Sequence, residues 1–508
     1  MATISDIVSE SLSEYLILTN WIRCKPEQVS LEASLGPISL EYPYMTARMQ
    51  SVVGPEMAVA AGRAGILPMI PRSLRDEDKQ AILDANNKAR LKKGDIEFQE
   101  NPEYANPDAT LEEVIKKVDR VGHSVIPIMD RFSNLLGVYI HNPEKLLLAP
   151  AHTPIIEVML PLRKNSRVGV PYLTNNEDAG KIKQILSKEE KKFLPILNEE
   201  GVLKKIAFLQ DYNTNFIGLS ISTREGWKRE LEKFGSQVDA LTIDSSNACF
   251  DDAIKILKYV KESEEFKDKP FGIGNIIMGR DFKIFAEAGA DYIIGGMGVG
   301  SICKTGSKRG NGRGQMTVVV ELSKARDEFA KKGKYVYLVL DGGIETVKDM
   351  TVALAFADLI MMGNYFNRFY EAAGQKFNEQ KNPTSTEELI RYVESWGEGH
   401  HRARQVAMNG ISFRRGLAVD NSATRQEISE RYGHSTISGS TEEGVLGDAE
   451  YRGRLKPNVE TDARYIRTTI SNAGACNLNE FRKEAVLERA SQQTLRDMLP
   501  HDIKITEE

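Results

Sequence analysis

The chain has 508 residues, which fits about three units of roughly 150 residues each. Its 41% hydrophobic and 27% charged residues support packed cores and exclude a wholly disordered or collagen-like protein. With 67 basic and 72 acidic side chains the formal net charge is −5, so the chain lacks the broad positive field expected of a nucleic-acid-binding protein.

Short apolar or β-branched runs recur along the chain, each followed by a Gly-, Asp- or Asn-rich turn and then an amphipathic stretch. Near-continuous apolarity is typical of strands buried on both faces of a parallel sheet. Such runs start at Ile38, Gly65, Phe216, Ala240, Phe271, Asp291, Tyr335 and Asp358. Helices are predicted at 251–262, 281–288 and 346–357. Repeated β-then-α units favour an α/β fold of the closed (β/α)8 (TIM) barrel type; a doubly wound sheet is the alternative.

The gap between the second and third runs is too long for an ordinary loop. Within it, VIPIMDRFSNLLGVYI (125–140) resembles FLPILNEEGVLKKIAF (193–208), and each copy predicts a strand, an acidic turn and a second strand. A helical stretch precedes each copy, at 110–121 and 176–187. We therefore predict an inserted domain built from two copies of one motif; two unrelated hairpins are the alternative.

The predicted insert divides the barrel into two parts along the chain. The first part covers 1–94, the insert covers 95–212, and the second part covers 213–508. Within the second part, the segment from 374 to 450 is rich in Gly, Ser, Arg and His and shows little periodicity, which indicates a disordered linker or a mobile functional loop. Its aromatic residues favour a loop that docks: Trp396, Phe413 and Tyr432.

The cysteine content and the hydropathy pattern indicate a cytoplasmic protein without a membrane partner. No stretch approaches the ~18 consecutive apolar residues that span a membrane, and the N-terminus carries acids where a secretory signal carries basic residues. The cysteines are too few and too scattered for a disulfide scaffold, which fits a reducing compartment. They are Cys24, Cys249, Cys303 and Cys476.

The most informative stretch is GGMGVGSICKT (295–305), which follows the sixth predicted strand. Its glycines let the backbone turn sharply and approach a ligand closely. The stretch is not a phosphate-binding Walker loop, because no GK[ST] follows the glycines. An isolated cysteine is usually a small buried apolar residue, but this loop setting beside Lys304 and Thr305 favours a reactive thiol at Cys303.

At this motif the chain resembles the IMP dehydrogenase family, and the likeness runs through nearly the whole chain. The insert is similar to that family's pair of cystathionine-β-synthase-type (CBS) motifs. Further motifs appear in the family's order: MQSVVG at Met49, DSSN at Asp244, GIGN at Gly272, GVGSICKT at Gly298, LDGGI at Leu340, MMGN at Met361, SWGEG at Ser395, ERY at Glu430, EEGV at Glu442 and LPHDI at Leu499.

The resemblance implies NAD⁺-dependent oxidation of IMP at C2 to xanthosine 5′-monophosphate, a reaction of guanine nucleotide biosynthesis. A cysteine thiolate adds to C2, a hydride passes to NAD⁺, and water hydrolyses the covalent intermediate. Cys303 matches the nucleophile and Thr305 a hydroxyl that passes a proton. On a mobile flap, Arg431 and Tyr432 match the pair that activates water. A second position for this pair is Arg414-Arg415.

The resemblance also implies the contacts with both nucleotides. Asp341 would accept the ribose hydroxyls of IMP, and Glu443 would face N1 of the purine. The full set of substrate positions is Ser301, Asp341, Gly343, Gly363, Asn364, Gly399 and Glu443. The cofactor positions are Asp244, Asn275 and Gly296. Departures from the common family pattern stand at Ala47, Ile294, Lys304, Asn364 and Ser395.

The family also implies further ligands and an assembly. Backbone carbonyls of Gly298, Gly300 and Cys303 match a K⁺ site. The CBS pair is expected to bind an adenine or guanine nucleotide, with a ligand-free spacer as the alternative. We expect a homotetramer, or an octamer formed through the insert.

Two other functions are compatible with these residues. A GMP reductase shares the barrel and the cysteine loop but deaminates GMP with NADPH. The Arg-Tyr pair and EEGV favour the dehydrogenase, because only that reaction hydrolyses a covalent adduct after hydride transfer. A catalytically inactive purine-nucleotide sensor of the same fold is the third hypothesis.

Overall fold

A computed structural model describes most of the chain. The described residues are 7–121, 124–141, 150–163, 169–175, 178–189, 192–210, 213–223, 226–412, 414 and 444–500. Two compact units are present. The first comprises Met1–Ala89, Asn215–Arg452 and Glu460–Glu508, and the second comprises Arg90–Thr214 with Gly453–Val459.

The strands of both units are short. In chain order they are β1 (Tyr15–Ile17), β2 (Ala33–Leu35), β3 (Ile38–Leu40), β4 (Tyr44–Thr46), β5 (Met69–Ile70), β6 (Ile96–Glu100), β7 (Val125–Met129), β8 (Leu135–Ile140), β9 (Leu160–Pro161), β10 (Leu173–Thr174), β11 (Phe193–Leu197), β12 (Leu203–Leu209), β13 (Gly218–Ile221), β14 (Ala240–Asp244), β15 (Phe271–Ile276), β16 (Tyr292–Gly295), β17 (Tyr337–Asp341), β18 (Leu359–Met362), β19 (Lys376–Phe377), β20 (Tyr392–Trp396), β21 (Leu446–Glu450) and β22 (Leu487–Arg489).

Helices follow most of the strands. In chain order the α-helices are α1 (Pro55–Arg63), α2 (Asp76–Ala89), α3 (Leu111–Val121), α4 (Ile155–Val158), α5 (Ala179–Glu189), α6 (Trp227–Phe234), α7 (Asp251–Glu262), α8 (Gly279–Ala288), α9 (Thr305–Arg309), α10 (Gln315–Ala330), α11 (Val347–Leu354), α12 (Asn364–Asn367), α13 (His401–Asn409), α14 (Leu455–Asn472), α15 (Leu478–Glu484) and α16 (Gln492–Asp497). Among the described residues, no helix is long and apolar enough to cross a membrane.

Eight parallel strands of the first unit form one sheet in the order β4-β18-β17-β16-β15-β14-β13-β5. The sheet closes on itself, because Thr46 of β4 donates to the carbonyl of Leu67 at 3.1 Å, and Leu67 donates back to Tyr44 at 3.1 Å. Each predicted apolar run contains one of these strands, so the (β/α)8 barrel is confirmed. The first run contains an additional strand, β3, before the barrel strand β4.

The barrel interior is filled by side chains, as in other (β/α)8 barrels. Met45, Met69, Ile294, Val339 and Met361 are fully buried in one cluster. The antiparallel β2–β3 hairpin adds its apolar side chains to that cluster beside the first residues of β14 and β18. The hairpin therefore covers the amino ends of the strands, and the carboxyl ends remain for a site.

Residues far apart in the sequence meet next to the barrel. Strand β1 pairs antiparallel with β22. Cys24 and Cys476 form a disulfide, with their Cα atoms 5.8 Å apart. The sequence predicted no disulfide scaffold, and this single bridge joins segments 452 residues apart in the chain. Cys249 and Cys303 are free and exposed.

The expectation of a linker or mobile loop from 374 to 450 is wrong for the residues described there. Strands β19, β20 and β21 form an antiparallel sheet, and α13 follows β20. Trp396, at the end of β20, is only 1% exposed. Because these strands contain two to five residues, they are too short to show a clear periodicity. Phe413 and Tyr432 lie outside the described residues.

The second unit contains two similar hairpins, β7–β8 and β11–β12. Pro127 pairs with Val138, and Pro195 pairs with Ile206, so both hairpins have the same register. Each hairpin has an irregularity at the end of its first strand, and each is preceded by a helix, α3 or α5. The predicted strand–turn–strand pattern is therefore present in both copies.

Candidate active site

The glycine-rich loop after β16 presents a thiol to solvent. Cys303 is exposed, and its backbone N–H donates to the carbonyl of Gly300 at 2.9 Å, which closes a tight turn. Its Sγ donates to Oγ1 of Thr305 at 3.3 Å. Thr305 is the first residue of α9 and is 9% exposed. An accessible thiol beside a fixed hydroxyl suits a nucleophile that must reach a bound ligand.

The cysteine loop is hydrogen-bonded to the beginning of β21. Cys303 forms a β-bridge with Gly444, and Val445 donates to the carbonyl of Ile302 at 3.1 Å. Gly444 directly follows Glu443, the predicted contact for the purine base. Glu443 itself and the predicted pair Arg431-Tyr432 lie outside the described residues.

Three predicted residues meet at the carboxyl ends of the barrel strands. Asp244 ends β14, Asn275 lies near the end of β15, and Asp341 ends β17. Nδ2 of Asn275 donates to Oδ2 of Asp341 at 2.9 Å and to the carbonyl of Gly296 at 2.8 Å. The arrangement explains why these polar residues follow apolar runs: they point to the open end of the barrel.

Two arginines complete this cluster, and sequence analysis did not identify either of them. Arg48 lies 3.2 Å from Oδ1 of Asp244 and donates to Oδ2 of Asp341 at 3.2 Å. It also donates to Oδ1 of Asn275 at 2.6 Å. Nε of Arg72 donates to Oδ2 of Asp244 at 3.2 Å. Both arginines follow barrel strands, β4 and β5, so their position after an apolar run was the available signal.

Burial raises the pKa of Asp341, while the nearby Arg48 guanidinium and the Asn275 amide act in the opposite direction. Its side chain is 19% exposed, so a ligand can still reach it. The carboxylate therefore lies between protein donors and an accessible face, an arrangement that suits hydroxyl recognition.

A third carboxylate, Glu398, was also missed. Its two oxygens accept from the hydroxyl of Ser73 at 2.5 Å and from the backbone N–H of Gln50 at 2.8 Å. Burial raises the pKa of Glu398. Because Gln50 and Ser73 follow β4 and β5, Glu398 fastens the loop that contains Gly399, a predicted substrate position, to two barrel strands.

Three of the predicted substrate positions, Ser301, Gly343 and Gly363, lie in turns after strands β16, β17 and β18. Ser301 is exposed in the cysteine loop. Gly343 has φ +64°, and a Cβ there would lie 3.2 Å from Val299 of the same loop. Gly363 lies beside Ala47, because a Cβ at Gly363 would be 3.4 Å from the Ala47 methyl carbon.

Three further departures from the common family pattern, Asn364, Ser395 and Ile294, are buried or lie at the start of a helix. Asn364 begins α12 and is half-buried. Ser395 lies in β20 and is 3% exposed, and Ile294 is fully buried in β16. Ile294 therefore contributes to the barrel core.

Gly296 requires glycine for a steric reason. Its φ is +133°, and a Cβ there would lie 2.1 Å from the carbonyl oxygen of Asp341. Nε2 of Gln315 donates to that oxygen at 2.6 Å and to the carbonyl of Gly342 at 2.7 Å. The ends of β16 and β17 therefore approach each other closely at this point.

The predicted K⁺ site consists of backbone carbonyls. Gly298 has φ +84°. Its carbonyl oxygen lies close to Gly306, because a Cβ added at Gly306 would be 3.3 Å from that oxygen. The carbonyl of Gly300 already accepts the Cys303 N–H. Within the described ranges there is no cluster of three or more His, Cys, Asp or Glu side chains that could hold a metal ion. A carbonyl site is of a different kind, so K⁺ binding stays a prediction.

The fold and this site define the class of the protein: a (β/α)8 barrel with an exposed cysteine and a cluster of carboxylates at the carboxyl ends of its strands. Residues 10–501 match the family described as "IMP dehydrogenase / GMP reductase domain". The chain belongs to this family, as its motifs predicted. It is accordingly an enzyme of the oxidoreductase class.

Similar proteins cover almost the whole chain. Inosine-5′-monophosphate dehydrogenase of Tritrichomonas foetus is 29% identical over 525 residues, which is 97% of this chain and 96% of the relative. The protein of the same name from Bifidobacterium longum is 25% identical and covers 97% of this chain and 88% of its own length.

A solved structure has the same fold. The structure of GMP reductase from Trypanosoma brucei in complex with guanosine 5′-monophosphate superimposes with a TM-score of 0.65 and 20% sequence identity. It covers 98% of this chain and 99% of its own chain. At this level of identity the likeness supports the barrel fold alone.

Proposed function

We propose that the chain oxidises IMP to xanthosine 5′-monophosphate with NAD⁺ as the hydride acceptor. The observation that carries this proposal is the exposed thiol of Cys303, hydrogen-bonded to Thr305 in a glycine-rich loop. Family membership and the dehydrogenase name of the relatives that cover nearly the whole chain support it.

The sulfur of Cys303 would act on C2 of the purine. Bonding to sulfur makes C2 tetrahedral, so that it becomes a hydride donor. The thiol already donates to Thr305, whose hydroxyl can relay the released proton. Water then adds to C2 and expels the thiolate, which restores the free enzyme. The overall balance is IMP, NAD⁺ and water giving xanthosine 5′-monophosphate, NADH and a proton.

The carboxylates would bind the two ribose rings. We assign Asp341 to the ribose of IMP and Asp244 to the ribose of the nicotinamide nucleotide. NAD⁺, when bound, supplies the hydride acceptor. The acceptor set fits this group, because carboxylate oxygens accept hydroxyl hydrogen bonds and the Asn275 amide holds Asp341 in place at 2.9 Å. Arg431 and Tyr432 are proposed to activate the hydrolytic water, and Glu443 to face N1.

One assay tests the proposal. Purified protein given IMP, NAD⁺ and K⁺ should release NADH and xanthosine 5′-monophosphate, and Cys303→Ala should abolish both products. Cys249→Ala is the matched control, because Cys249 is also a free, exposed cysteine but lies outside the glycine-rich loop. NADPH consumption with GMP would instead identify a GMP reductase. Nucleotide binding without either turnover would identify an inactive sensor.

We also propose three properties that the family implies. They are a regulatory adenine or guanine nucleotide at the second unit, read as a CBS pair, a homotetrameric or octameric assembly, and a location in the cytoplasm. The repeated hairpin register of the second unit supports its description as two copies of one motif.

A further inference from the structure

Arg48 lies between the two carboxylates to which the proposed function assigns the ribose rings. One terminal nitrogen, Nη1, is 3.2 Å from Asp244. The other, Nη2, is 2.6 Å from Asn275 and 3.2 Å from Asp341. The side chain is only 6% exposed. This contact joins strand ends β14, β15 and β17 through one guanidinium that comes from the end of β4.

We propose that Arg48 is a positioning residue that sets the geometry of Asp244 and Asp341 together, so that the binding of both substrates depends on it. The inference rests on the proposed function, because it takes the two carboxylates as the ribose contacts. It adds a residue that no motif assigned.

The guanidinium is suited to this role by its shape. It is planar, always charged, and presents its donors in a rigid fork. Here Nη2 donates to both members of the Asn275–Asp341 pair, while Nη1 lies 3.2 Å from Asp244 and attracts its charge without forming a hydrogen bond. An ammonium group has a single nitrogen and cannot reach both sides with the same geometry.

The contacts leave Asp341 ready to accept a ligand. Arg48 and Asn275 both donate to Oδ2. Oδ1 has no hydrogen-bond partner in the part of the chain that the structure describes. Since a carboxylate can accept at both oxygens, Oδ1 is free for a ribose hydroxyl while Oδ2 fixes the rotation of the group.

Charge gives a second reason for the arrangement. Asp244 and Asp341 are 20% and 19% exposed, and two carboxylates that contact the same guanidinium repel each other. Arg48 lies between them, and Arg72 neutralises the outer side of Asp244. Removal of Arg48 leaves the two partly buried carboxylates without a shared cation, so the side chains are expected to leave their present positions.

A buried arginine elsewhere in the barrel provides a matched control. Arg326 pairs with Asp358 at 3.2 Å, and both side chains are 5% exposed. Asp358 precedes β18 and accepts from the backbone of Leu338 at 2.8 Å, so this pair lies at the beginning of the strands, away from the candidate site. Arg326→Met removes a similar buried ion pair without touching the ribose contacts.

The test measures kcat and the KM of each substrate for wild type, Arg48→Met, Arg48→Lys and Arg326→Met, together with Tm. Loss of a charge-assisted contact should raise KM for IMP and for NAD⁺ by about tenfold or more in Arg48→Met, with a smaller change in kcat. Arg48→Lys should keep the fold but should not restore either KM. Arg326→Met should lower Tm and leave both KM values unchanged.

Several results would overturn the inference. These are KM values in Arg48→Met within twofold of wild type, a change in only one of the two KM values, or restoration of both by Arg48→Lys. If Arg48→Met does not fold, the KM values of Arg48→Lys alone test the inference.

If wild type does not turn over IMP, the proposed function fails. Calorimetric binding of IMP and NAD⁺ to wild type and to Arg48→Lys then tests the inference. Equal affinities then overturn the inference, and no binding by wild type overturns both proposals.

Discussion

Replacement of Gly296 by alanine should damage the barrel at the point where β16 and β17 approach most closely. A Cβ at this position would lie 2.1 Å from the carbonyl oxygen of Asp341, whereas ordinary contact begins at 3.4 Å. The overlap of 1.3 Å (3.4 − 2.1 Å) involves backbone, which cannot rotate away. The Gln315 side chain, which holds the same carbonyl, would be only 2.8 Å away.

The expected cost has two parts. The positive φ of +133° is strained for alanine and costs about 1–2 kcal/mol. Forcing the strand ends apart should cost a further ~1–3 kcal/mol, by comparison with other overpacked cores. We therefore expect the free energy of unfolding to fall by about 2–5 kcal/mol. The proposed IMP turnover should fall as well, because the carboxylate of Asp341 moves with its backbone.

The control is Gly333→Ala, which has φ +90° and no heavy atom within 4 Å of the added methyl group. Its free energy of unfolding should fall by about 1–2 kcal/mol, because only the backbone strain is added, and its turnover should be normal. Urea unfolding followed by fluorescence and circular dichroism, with the NADH assay on the same samples, gives both quantities. If Gly296→Ala is no less stable than Gly333→Ala, the close approach of β16 and β17 is not as described.

Two further predictions concern buried charges. Arg402 donates to both oxygens of Glu394 at 2.9 and 3.0 Å, with both side chains at 2% exposure or less, so Arg402→Leu should cost about 3–5 kcal/mol in thermal unfolding. A loss below about 1 kcal/mol would show that the pair is not buried. For Lys376, burial lowers the pKa to about 8 from 10.5. Between these two pKa values the unfolded state binds more protons than the folded state. The contribution of Lys376 to stability is therefore present at high pH and is lost as pH falls through about 8. Wild type should gain stability relative to Lys376→Met from pH 8 to 10; parallel curves would contradict this.

The barrel was predictable because its signal repeats. Each strand is short, but the same apolar run and polar end recur along the chain, and helix α7 has the bounds that its periodicity predicts. The sheet of β19, β20 and β21 offered no such repetition. Its strands are antiparallel and joined through segments of unequal length. The sequence therefore predicted that Trp396 docks, but it did not predict that Trp396 lies in a strand.

The candidate site was predictable where a glycine or an aspartate ends a strand. Asp244 and Asp341 end such strands, and the resemblance to the family gave each of them a role. Arg48, Arg72 and Glu398 were missed because a lone charged residue in sequence is usually on the surface, and only tertiary packing shows that it faces a partner. Arg48 nevertheless lies two positions after β4, so it follows an apolar run just as Asp244 and Asp341 end theirs.

The pairing of β1 with β22 has a consequence for how the chain acquires its structure during synthesis. Tyr15 can pair with Arg489 only after almost the whole chain has been synthesised. In the same way, β4 can pair with β18 only after β18 has been synthesised. The second unit is complete much earlier apart from its short Gly453–Val459 segment. Domains generally fold as units while synthesis proceeds. The barrel sheet can therefore close only late in translation, after β18 has been synthesised.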